Sequence, residues 1–536
     1  MGSMKRRFFM KSALAGSSAL SIIGLTACQV SETNPQQAAD PAKFHLNEIT
    51  VGQLQQMMTD GSLTAVSLCQ QYIDRISLVD PLLNSVIELN PHALEIAAQL
   101  DRERQQGQLR GPLHGIPILI KDNIDTGDRM MTTAGSLALL GAPAPDDAFI
   151  VKKLRQAGAV LLGKTNLSEW ANIRSTRSSS GWSARGGQVH NPFCLDRSPC
   201  GSSSGTGAAV SANLCTLGIG TETDGSIICP SGINGLVGIK PTLGMWSRDG
   251  IIPIAHSQDT AGPMARSVTD AALLLGVLAE YDPKDAPTNL PVGEIHNDYT
   301  QFLDRAGLKG ARIGIASNFF GFHSEVDKLM QKAIEDMQRA GAEIITDLNL
   351  EGRDEWGKAE WTVLMTELKA DLNSYLDTRS DLKIKTLADL IEFNKANATA
   401  EMRWFDQEIF EEADKTNGLD DPEYLEALKV SKSKSREGID KLMDQHQLDA
   451  LVAPTNSPSW PIDLVNGDHF IGGSSDAAAV SGYPNITVPA GEVHGLPVGI
   501  SFFGRAWSEP TLLKIAYAYE QITKNRKAPG FKNTIG

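Results

Sequence analysis

The stretch Ile116-Pro117-Ile118-Leu119-Ile120-Lys121 is a short apolar run that ends in a lysine. Such a run is typical of a buried strand, and the pattern that follows predicts a helix from Val151 to Gly158. A second strand-like run, Ala159-Val160-Leu161-Leu162-Gly163, comes directly after that helix. Strands that alternate with helices predict an α/β fold, with a central sheet covered by helices on both faces.

The rest of the chain continues this alternation. Hydrophobic periodicity predicts helices over residues 49–69, 91–104, 208–214 and 268–278, and strands over residues 235–241, 312–315, 450–453 and 486–488. Residues of about 350–448 are charged and helix-forming, which predicts a helical insertion over or beside the functional site. A purely structural role for that insertion is left open. The length of 536 residues alone predicts three or four domains of about 150 residues each.

The first 28 residues have the organisation of an export signal. Met1-Gly2-Ser3 precedes a second methionine and is interpreted as an expression scar. A basic segment, 5–11, leads into an apolar stretch up to Ala27, as in secretory signals. The pair Arg6-Arg7 resembles a twin-arginine signal. A transmembrane anchor is the alternative, but the stretch is short and interrupted by Ser and Gly.

The end of this leader resembles a bacterial lipobox. In Leu25-Thr26-Ala27-Cys28, the cysteine would be lipidated and become the new N-terminus. Residues 29–45, which are polar and contain two prolines, are then predicted to be a flexible tether. Stable anchoring needs more than one acyl chain, which lipoprotein-type modification provides. We therefore expect a protein attached to the membrane through Cys28 at the cell envelope, on the periplasmic side or at the outer membrane.

Composition argues against two classes of site. A formal charge of −15 is unfavourable for binding nucleic acid, which needs a clustered basic face. The six cysteines lack the C-x-x-C spacing of a zinc site, and no metal or organic cofactor is expected. The five cysteines that remain after Cys28 are expected to be buried thiols. A bridge between Cys194 and Cys200 is the one pairing that we considered.

Lys121, Ser202 and Ser226 each stand in a short loop and together suit acyl transfer. A serine hydroxyl becomes a nucleophile when a neighbouring base removes its proton. Lys121 can be that base when it is neutral, a form favoured by burial at a strand end and by a nearby positive charge. Asp122 would favour the charged form, so its carboxylate is expected to point elsewhere. A lysine simply paired with Asp122 is the alternative.

Successive backbone N–H groups in the turn at Gly225 can converge on one point, as an oxyanion hole requires.

Two other patterns offer competing serine nucleophiles. Gly201-Ser202-Ser203-Ser204-Gly205 fits the G-x-S-x-G elbow of α/β-hydrolases with Ser203 as nucleophile, and His446, His469 and His494 follow late in the chain. No strand-like run precedes that elbow. Ser431-Lys432-Ser433-Lys434 fits S-x-x-K, but it lies in a charged helical run, where a solvated face is the simpler interpretation.

The three loops, taken together with several flanking segments, resemble the amidase signature family. The resemblance covers about residues 46–530 and implies one large domain, in place of the several domains that length alone predicts. The segments that carry it, besides the Ser202 and Ser226 loops, are Gly115-Ile116-Pro117, Lys121-Asp122-Asn123, Thr132-Thr133-Ala134-Gly135-Ser136, Gly163-Lys164-Thr165-Asn166 with Glu169, Gly235-Leu236-Val237-Gly238-Ile239-Lys240-Pro241, Ala453-Pro454-Thr455, Gly482-Tyr483-Pro484 and Gly495-Leu496-Pro497-Val498-Gly499.

This resemblance implies a Ser–Ser–Lys triad. Ser226 would attack an amide carbonyl, and Ser202, in a cis-peptide conformation, would relay the proton to neutral Lys121. The backbone N–H groups of Thr223, Asp224, Gly225 and Ser226 would hold the oxyanion. Water would then hydrolyse the acyl-serine. No cofactor is implied.

Two loops depart from the commonest family pattern. The serine turn reads Cys200-Gly201-Ser202-Ser203-Ser204-Gly205, and the nucleophile loop reads Glu222-Thr223-Asp224-Gly225. With Leu167-Ser168-Glu169-Trp170-Ala171-Asn172, these variations resemble the peptide amidases, which remove the C-terminal amide from peptides. Asp224 and Asn172 would then hydrogen-bond the substrate. Turn stabilisation by Asp224 and helix capping by Asn172 are equally open alternatives.

The expected function is therefore hydrolysis of small amides with release of ammonia, and C-terminal peptide amides are the favoured substrates. A broad aliphatic or aryl amidase is the main rival within enzymes. Export and acidity oppose the ammonia-handling subunit of a tRNA-dependent amidotransferase, which shares the family. A non-catalytic, surface-anchored binding protein is the rival from another class, and the presence of Lys121, Ser202 and Ser226 together argues against it.

Overall fold

An eleven-stranded mixed sheet forms the centre of the computed structural model of this chain. The structure describes residues 43–290, 293–380 and 382–535, which belong to one compact unit. The predicted export signal of residues 1–28 with Cys28, and all but the end of the predicted tether, lie outside the described residues.

Thirteen strands are present in the described residues. The eleven strands of the large sheet lie in the order β1-β3-β2-β6-β8-β7-β12-β13-β11-β9-β10, and β4 pairs with β5 in a separate ribbon. The bounds are β1 Val86–Leu89, β2 Pro117–Lys121, β3 Val160–Thr165, β4 Trp182–Ser183, β5 Gly187–Gln188, β6 Leu217–Glu222, β7 Val237–Lys240, β8 Thr260–Ala265, β9 Arg312–Ala316, β10 Glu343–Leu348, β11 Ala450–Pro454, β12 Asn485–Val493 and β13 Leu496–Phe503.

Fifteen α-helices surround these strands in the described part of the chain. Their bounds are α1 Val51–Thr59, α2 Ala65–Val79, α3 Ala93–Gln105, α4 Phe149–Gln156, α5 Ser204–Ser211, α6 Ile228–Ile233, α7 Val268–Leu278, α8 Ser324–Arg339, α9 Arg353–Thr378, α10 Leu387–Ala396, α11 Ala398–Glu401, α12 Glu408–Ala413, α13 Pro422–His446, α14 Asp476–Ser481 and α15 Glu509–Thr523. Among them, none combines the length and the apolar character that a membrane-crossing helix needs.

The sheet is mixed because two groups of parallel strands are joined by antiparallel ones. Strand β2 pairs in parallel with β3 and β6, and β9 pairs in parallel with β10 and β11. The strands between these groups, from β6 through β8, β7, β12 and β13 to β11, pair antiparallel. The site described below lies at the ends of β2 and β6, within the first parallel group.

Both faces of the sheet are packed. Successive residues of a strand point to opposite faces, and in β11 Val452 belongs to one hydrophobic cluster while Leu451 and Ala453 belong to another. Phe502 and Phe503 of β13 divide between the same two clusters. The predicted α/β fold with a covered central sheet is therefore confirmed, and helices α9 to α13 supply the predicted helical insertion.

Two predicted features differ from the structure. The helix expected over residues 49–69 is two helices, α1 and α2, because Gly61 takes a left-handed conformation and Thr64 caps a new helix. The considered Cys194–Cys200 bridge is wrong, since Cys200 is bonded to Cys229. Cys194 is a buried free thiol, as are Cys69 and Cys215. A separation of 29 residues along the chain hid the true pairing.

Candidate active site

Lys121 is the last residue of β2 and points into a buried polar centre. Its Nζ lies 2.8 Å from Oγ of Ser202 and 2.8 Å from Oγ1 of Thr221. The carbonyl oxygen of Thr221 is also within 3.3 Å. The side chain is fully buried, because the apolar run of β2 places its end inside the protein. The lysine is therefore held between the serine loop and the end of β6.

The pKa of Lys121 is lowered from 10.5 to about 7, chiefly because burial disfavours the ammonium form. The carboxylates of Asp259 and Glu222 act in the opposite direction. The nearby positive charge that we expected is therefore not the cause. Asp122 does point elsewhere, as expected, because it accepts hydrogen bonds from Thr133 and Arg185. A large fraction of neutral Lys121 is available near neutral pH.

Ser202 follows a cis peptide bond from Gly201, as the family resemblance implied. The bond stands just before helix α5, which starts at Ser204. Ser202 is fully buried, and its carbonyl oxygen accepts a hydrogen bond from the N–H of Ser168 at 3.1 Å. Its hydroxyl is thereby fixed toward Lys121.

Ser226 lies in the loop that follows β6. Its side chain is 8% exposed, and its Oγ takes part in none of the side-chain hydrogen bonds of the described residues, including any with Ser202 Oγ. Its carbonyl oxygen accepts a hydrogen bond from the N–H of Ser203 at 3.2 Å. The two serine loops are thus in direct backbone contact, with the Ser226 hydroxyl uncommitted.

Glu222 organises the turn that carries Ser226. Its buried carboxylate accepts hydrogen bonds from the N–H groups of Ile227 at 2.8 Å and Ile228 at 2.9 Å, and the N–H of Gly225 is directed to it as well. Gly225 has a φ of +75°, which glycine adopts without strain. The N–H groups of Thr223, Asp224 and Ser226 donate none of the hydrogen bonds found among the described residues. Three of the four expected oxyanion donors are therefore unoccupied.

Thr223 is fixed from outside the turn. Its hydroxyl donates to Asp259 at 2.6 Å, and Asp259 also accepts from the N–H groups of Ile254 and Ala255. The amide of Gln258 donates to the carbonyl oxygen of Thr223 at 3.3 Å. The segment before β8 therefore supports the loop of the nucleophile.

The two predicted substrate-binding side chains lie on different sides of the site. Asn172 packs against Gly201, where an added Cβ would lie 3.3 Å from Asn172 Nδ2. Its Oδ1 is buried without a partner, and its Nδ2 donates weakly to Ser180 at 3.4 Å. Asp224 lines a cavity beyond the Ser226 loop, and its Oδ1 is also buried without a partner. Both side chains thus have free acceptors beside the serines.

Two cavities flank the nucleophile loop. One, of about 510 Å³, is lined by Asn123, Thr221 and Thr223 and by Tyr375 of helix α9. The other, of about 490 Å³, is lined by Asp224 and by residues that precede α8 and α14. Because α9 contributes to both, the helical insertion forms walls of the site.

Sequence reasoning missed Thr221, Glu222 and Asp259. Thr221 bonds both Lys121 and Asn123, whose Nδ2 lies 2.9 Å from the Thr221 hydroxyl. Glu222 was quoted only as a departure from the family pattern. Its position at the end of an apolar strand was the available signal for a buried carboxylate, but the strand itself was not predicted.

The competing nucleophiles are excluded by their surroundings. Ser203 Oγ donates to the carbonyl oxygen of Thr221 at 3.1 Å, and no described histidine hydrogen-bonds it. A loop, not a strand, precedes α5, as the sequence indicated. Ser431 and Lys434 lie on helix α13, where Lys434 pairs with Glu437.

One group of potential metal ligands is present among the described residues. Ligand atoms of His256, Glu367 and Asp371 lie within 4.8 Å of one another. His256 Nδ1 is already bonded to Asp371 at 2.9 Å, and Glu367 accepts from Tyr424 at 2.8 Å. The His256–Asp371 contact joins helix α9 to the segment before β8, and the Tyr424–Glu367 contact joins it to helix α13.

The Cys200–Cys229 disulfide joins the two serine loops. Cys200 stands two residues before Ser202, and Cys229 stands three residues after Ser226. Both cysteines are buried in a small cluster with Ile233 and Trp460. The bridge therefore limits how far the relay hydroxyl and the nucleophile can move apart.

A lysine, a cis serine and a second serine in this arrangement match a known family along most of the chain. The family model described as amidase matches residues 67–513. This chain belongs to the amidase family. It is an enzyme that hydrolyses amides, and the predicted resemblance to the amidase signature enzymes is confirmed.

Individual relatives agree with the family assignment. The chain is 52% identical to the native peptide amidase of Stenotrophomonas maltophilia, with a TM-score of 0.87 over 91% of this chain and 100% of that one. It is 42% identical to a probable amidase of Arabidopsis thaliana, over 91% of this chain and 92% of the relative. A putative amidase of Schizosaccharomyces pombe is 38% identical, over 91% and 87%.

Proposed function

We propose that this amidase removes ammonia from the C-terminal carboxamide of peptides through an acyl-enzyme on Ser226. The observation that carries the chemistry is the 2.8 Å contact between Lys121 Nζ and Ser202 Oγ, buried beside the Ser226 loop. The peptide substrate rests on the 52% identity to a peptide amidase. The two cavities beside the nucleophile loop provide room for the peptide chain on the acyl side of the amide bond that is cleaved.

The first step is attack of Ser226 Oγ on the amide carbon. Its proton passes to Ser202 Oγ as the Ser202 proton passes to neutral Lys121, so the lysine becomes an ammonium. The relay requires the Ser226 hydroxyl to turn toward Ser202, and the backbone contact between the two loops keeps them close. Burial keeps Lys121 neutral before the step, and Asp259 and Glu222 stabilise the ammonium after it.

The tetrahedral intermediate carries a negative oxygen that needs donors. The unoccupied N–H groups of Thr223, Asp224 and Ser226 supply them, in a turn that Glu222 and Asp259 hold in place. Collapse of the intermediate breaks the carbon–nitrogen bond while Ser202 returns a proton to the leaving nitrogen. In this proposal, Asn172 Oδ1 accepts a hydrogen bond from the substrate amide, which is supported by its lack of any other partner.

The second half-reaction reverses these roles. Water replaces ammonia, gives its proton through Ser202 to Lys121, and attacks the acyl carbon. The carbon–oxygen bond to Ser226 breaks, Ser226 recovers its proton, and a carboxylate leaves.

The test is covalent labelling together with ammonia release. A serine-directed fluorophosphonate should label the enzyme, and Ser226→Ala should abolish both labelling and release of ammonia from an amidated dipeptide. Ser431→Ala, in the competing S-x-x-K segment, is the control and should keep both. Labelling that persists in Ser226→Ala would overturn the nucleophile. Faster hydrolysis of a simple aryl amide than of the amidated dipeptide would instead overturn the substrate class.

We also propose that the enzyme is exported and anchored through lipidated Cys28. The leader sequence motivates this proposal, and the Cys200–Cys229 disulfide supports it, because disulfides persist in oxidising compartments. Cys28→Ser should move the enzyme from the membrane fraction to the soluble one, whereas Cys194→Ser should leave it with the membranes. Identical fractionation of Cys28→Ser and the unmodified sequence would refute lipidation.

A further inference from the structure

The cavity beside Asp224 combines aromatic walls with an acidic lining. Its volume is about 490 Å³, and it lies between the Ser226 loop, the segment before α8, the start of α9 and the segment before α14. The aromatic lining residues are Phe319, Phe320, Phe322 and Phe470. The charged lining residues are Asp224, Arg353 and Asp476.

The charges around this cavity do not balance. Arg353 pairs with Asp476, which leaves Asp224 without a cation among the described residues. Glu360 does not line the cavity, but it lies near Asp224, and it too has no cationic partner among the described residues. Glu360 stands two turns after Arg353 on helix α9 and accepts only the neutral amide of Gln258, at 2.9 Å. The Oδ1 atom of Asp224 is buried and has no hydrogen-bond partner. The carboxyl group has a hydrogen bond from Ser475, but a buried oxygen without a partner is unfavourable, and a bound cation would relieve that cost.

The pKa shifts of the nearby carboxyl groups also favour a bound positive charge. Burial is the main cause that raises the pKa of Asp224 well above its ordinary value, and the carboxylates of Glu360 and Asp476 add to it. Burial likewise raises the pKa of Glu360 to about 7. Both groups would return toward their ionised forms if a positive group entered between them.

The aromatic walls suit a flat cation on an apolar stem. Guanidinium groups stack on phenyl faces, and long basic side chains bury their methylene groups along apolar surface. This cavity already contains one such contact, because the guanidinium of Arg353 lies 4.6 Å from the centre of the Phe319 ring. Phe470, which is 49% exposed, stands at an accessible edge of the cavity.

The position of the cavity links it to the reacting amide. Asp224 precedes Ser226 by two residues, so their Cα atoms are within about 7 Å. A long side chain of the residue whose carbonyl Ser226 attacks, or of its neighbour, is therefore within reach of Asp224.

We propose that this cavity is a specificity subsite for the basic side chain of a peptide that ends in arginine amide or lysine amide. The inference rests on the proposed peptide-amide activity and names its preferred substrate class. Glu360 and Asp224 supply the negative charge, and the phenylalanine rings hold the stem of the side chain.

The test compares acetyl-arginine amide with acetyl-citrulline amide, which has the same shape but no charge. Ammonia release should give a kcat/KM at least tenfold higher for the arginine amide. Glu360→Gln keeps an acceptor for Gln258 but removes a charge, and it should reduce the arginine-to-citrulline ratio severalfold. Asp476→Asn is a second variant, should Glu360→Gln fail to fold, and it should lower the ratio in the same direction.

Glu355→Gln is the matched control. It lies on the same helix and makes the same change in net charge, but it is exposed and, unlike Glu360, is not among the groups that raise the pKa of Asp224, so the ratio should not change. A ratio near one in the unmodified enzyme, or a ratio unaffected by both Glu360→Gln and Asp476→Asn, would overturn the subsite. Failure of the proposed activity is distinguishable, because then neither amide, nor an amidated dipeptide, would release ammonia.

Discussion

The acid limb of the pH–rate profile should report the titration of Lys121. The relay requires a neutral lysine, and its pKa is about 7. Below that pH the lysine binds a proton and the base is lost, whereas above it the rate reaches a plateau. At pH 5 about one lysine in a hundred is neutral, so kcat/KM should be about 100-fold below the plateau. The profile should therefore fall about tenfold for each pH unit below neutral.

Asp259→Asn perturbs this profile in a defined direction. The Asp259 carboxylate is the largest influence that raises the Lys121 pKa, so its loss should move the acid limb to lower pH. Asparagine keeps an oxygen that can accept the hydrogen bond from Thr223, so the loop of the nucleophile retains that support. Burial raises the pKa of Asp259 to about 6, so the midpoint in the unmodified enzyme belongs to the coupled pair.

The assay is ammonia release from an acetylated dipeptide amide without ionisable side chains, measured from pH 4.5 to 9 at constant ionic strength. The pH dependence of kcat/KM reports the pKa values of groups in the free enzyme. Glu355→Gln removes one negative charge, as Asp259→Asn does, but at an exposed position, so it should leave the pH–rate profile unchanged. A flat profile between pH 5 and 7, or an acid limb that Asp259→Asn moves toward higher pH, would refute the assignment of Lys121 as the base.

Three further outcomes follow from the same geometry. Lys121→Met should abolish turnover and yet raise the free energy of unfolding at pH 7. Lowering the lysine pKa from 10.5 to about 7 costs the fold ~4 kcal/mol at that pH, partly offset by the hydrogen bonds of the lysine. Urea titration measures the free energy of unfolding, and a destabilised variant would contradict this prediction. Replacing both Cys200 and Cys229 by alanine should reduce stability by ~4 kcal/mol for a closed segment of this size and remove any sensitivity of activity to dithiothreitol; a double variant as stable as the unmodified enzyme would contradict the bridge. The N–H groups of Ile227 and Ile228 both bind Oε2 of Glu222, so Glu222→Gln can keep these contacts but weakens them by removing the charge, and kcat should fall about tenfold with little change in KM; an effect confined to KM would show that the carboxylate contacts substrate instead.

Much of the fold could be predicted because its strands are apolar runs. Ile118-Leu119-Ile120 and the run from Val160 are β2 and β3, and helix α7 has the predicted bounds, Val268–Leu278. Strand β6, which delivers Thr221 and Glu222, was missed because it contains two glycines, residues that weaken a strand pattern. The structure explains them, since a Cβ on Gly218 would lie 2.5 Å from Thr206 and one on Gly220 would lie 2.7 Å from Ser203. Those glycines let helix α5 pack closely on the strand.

The three candidate catalytic side chains could be named from the sequence, but their electrostatic surroundings could not. Lys121 and Ser202 are 81 residues apart, and their 2.8 Å contact follows only once β2 and α5 pack together. The role of Asp259 could not be predicted, because this residue acts from a segment before β8 that carries no motif. The disulfide partner of Cys200 was equally hidden, since Cys229 approaches only after β6 and its turn have folded back. Local patterns identify reactive residues, whereas tertiary packing decides which charges face them.

The pKa of the base in this site is set by two opposed effects, of which burial is the larger. Burial alone would make Lys121 a weak base, because complete desolvation can depress a lysine pKa by several units. The carboxylates of Asp259 and Glu222 alone would keep it charged, and a charged lysine cannot accept the Ser202 proton. Their combination leaves the pKa of Lys121 at about 7. At that value the neutral lysine is abundant near neutral pH and is still basic enough to accept a proton from Ser202. Since Glu222 and Asp259 also hold the turn of the oxyanion donors, the same two carboxylates adjust the base and fix the nucleophile loop.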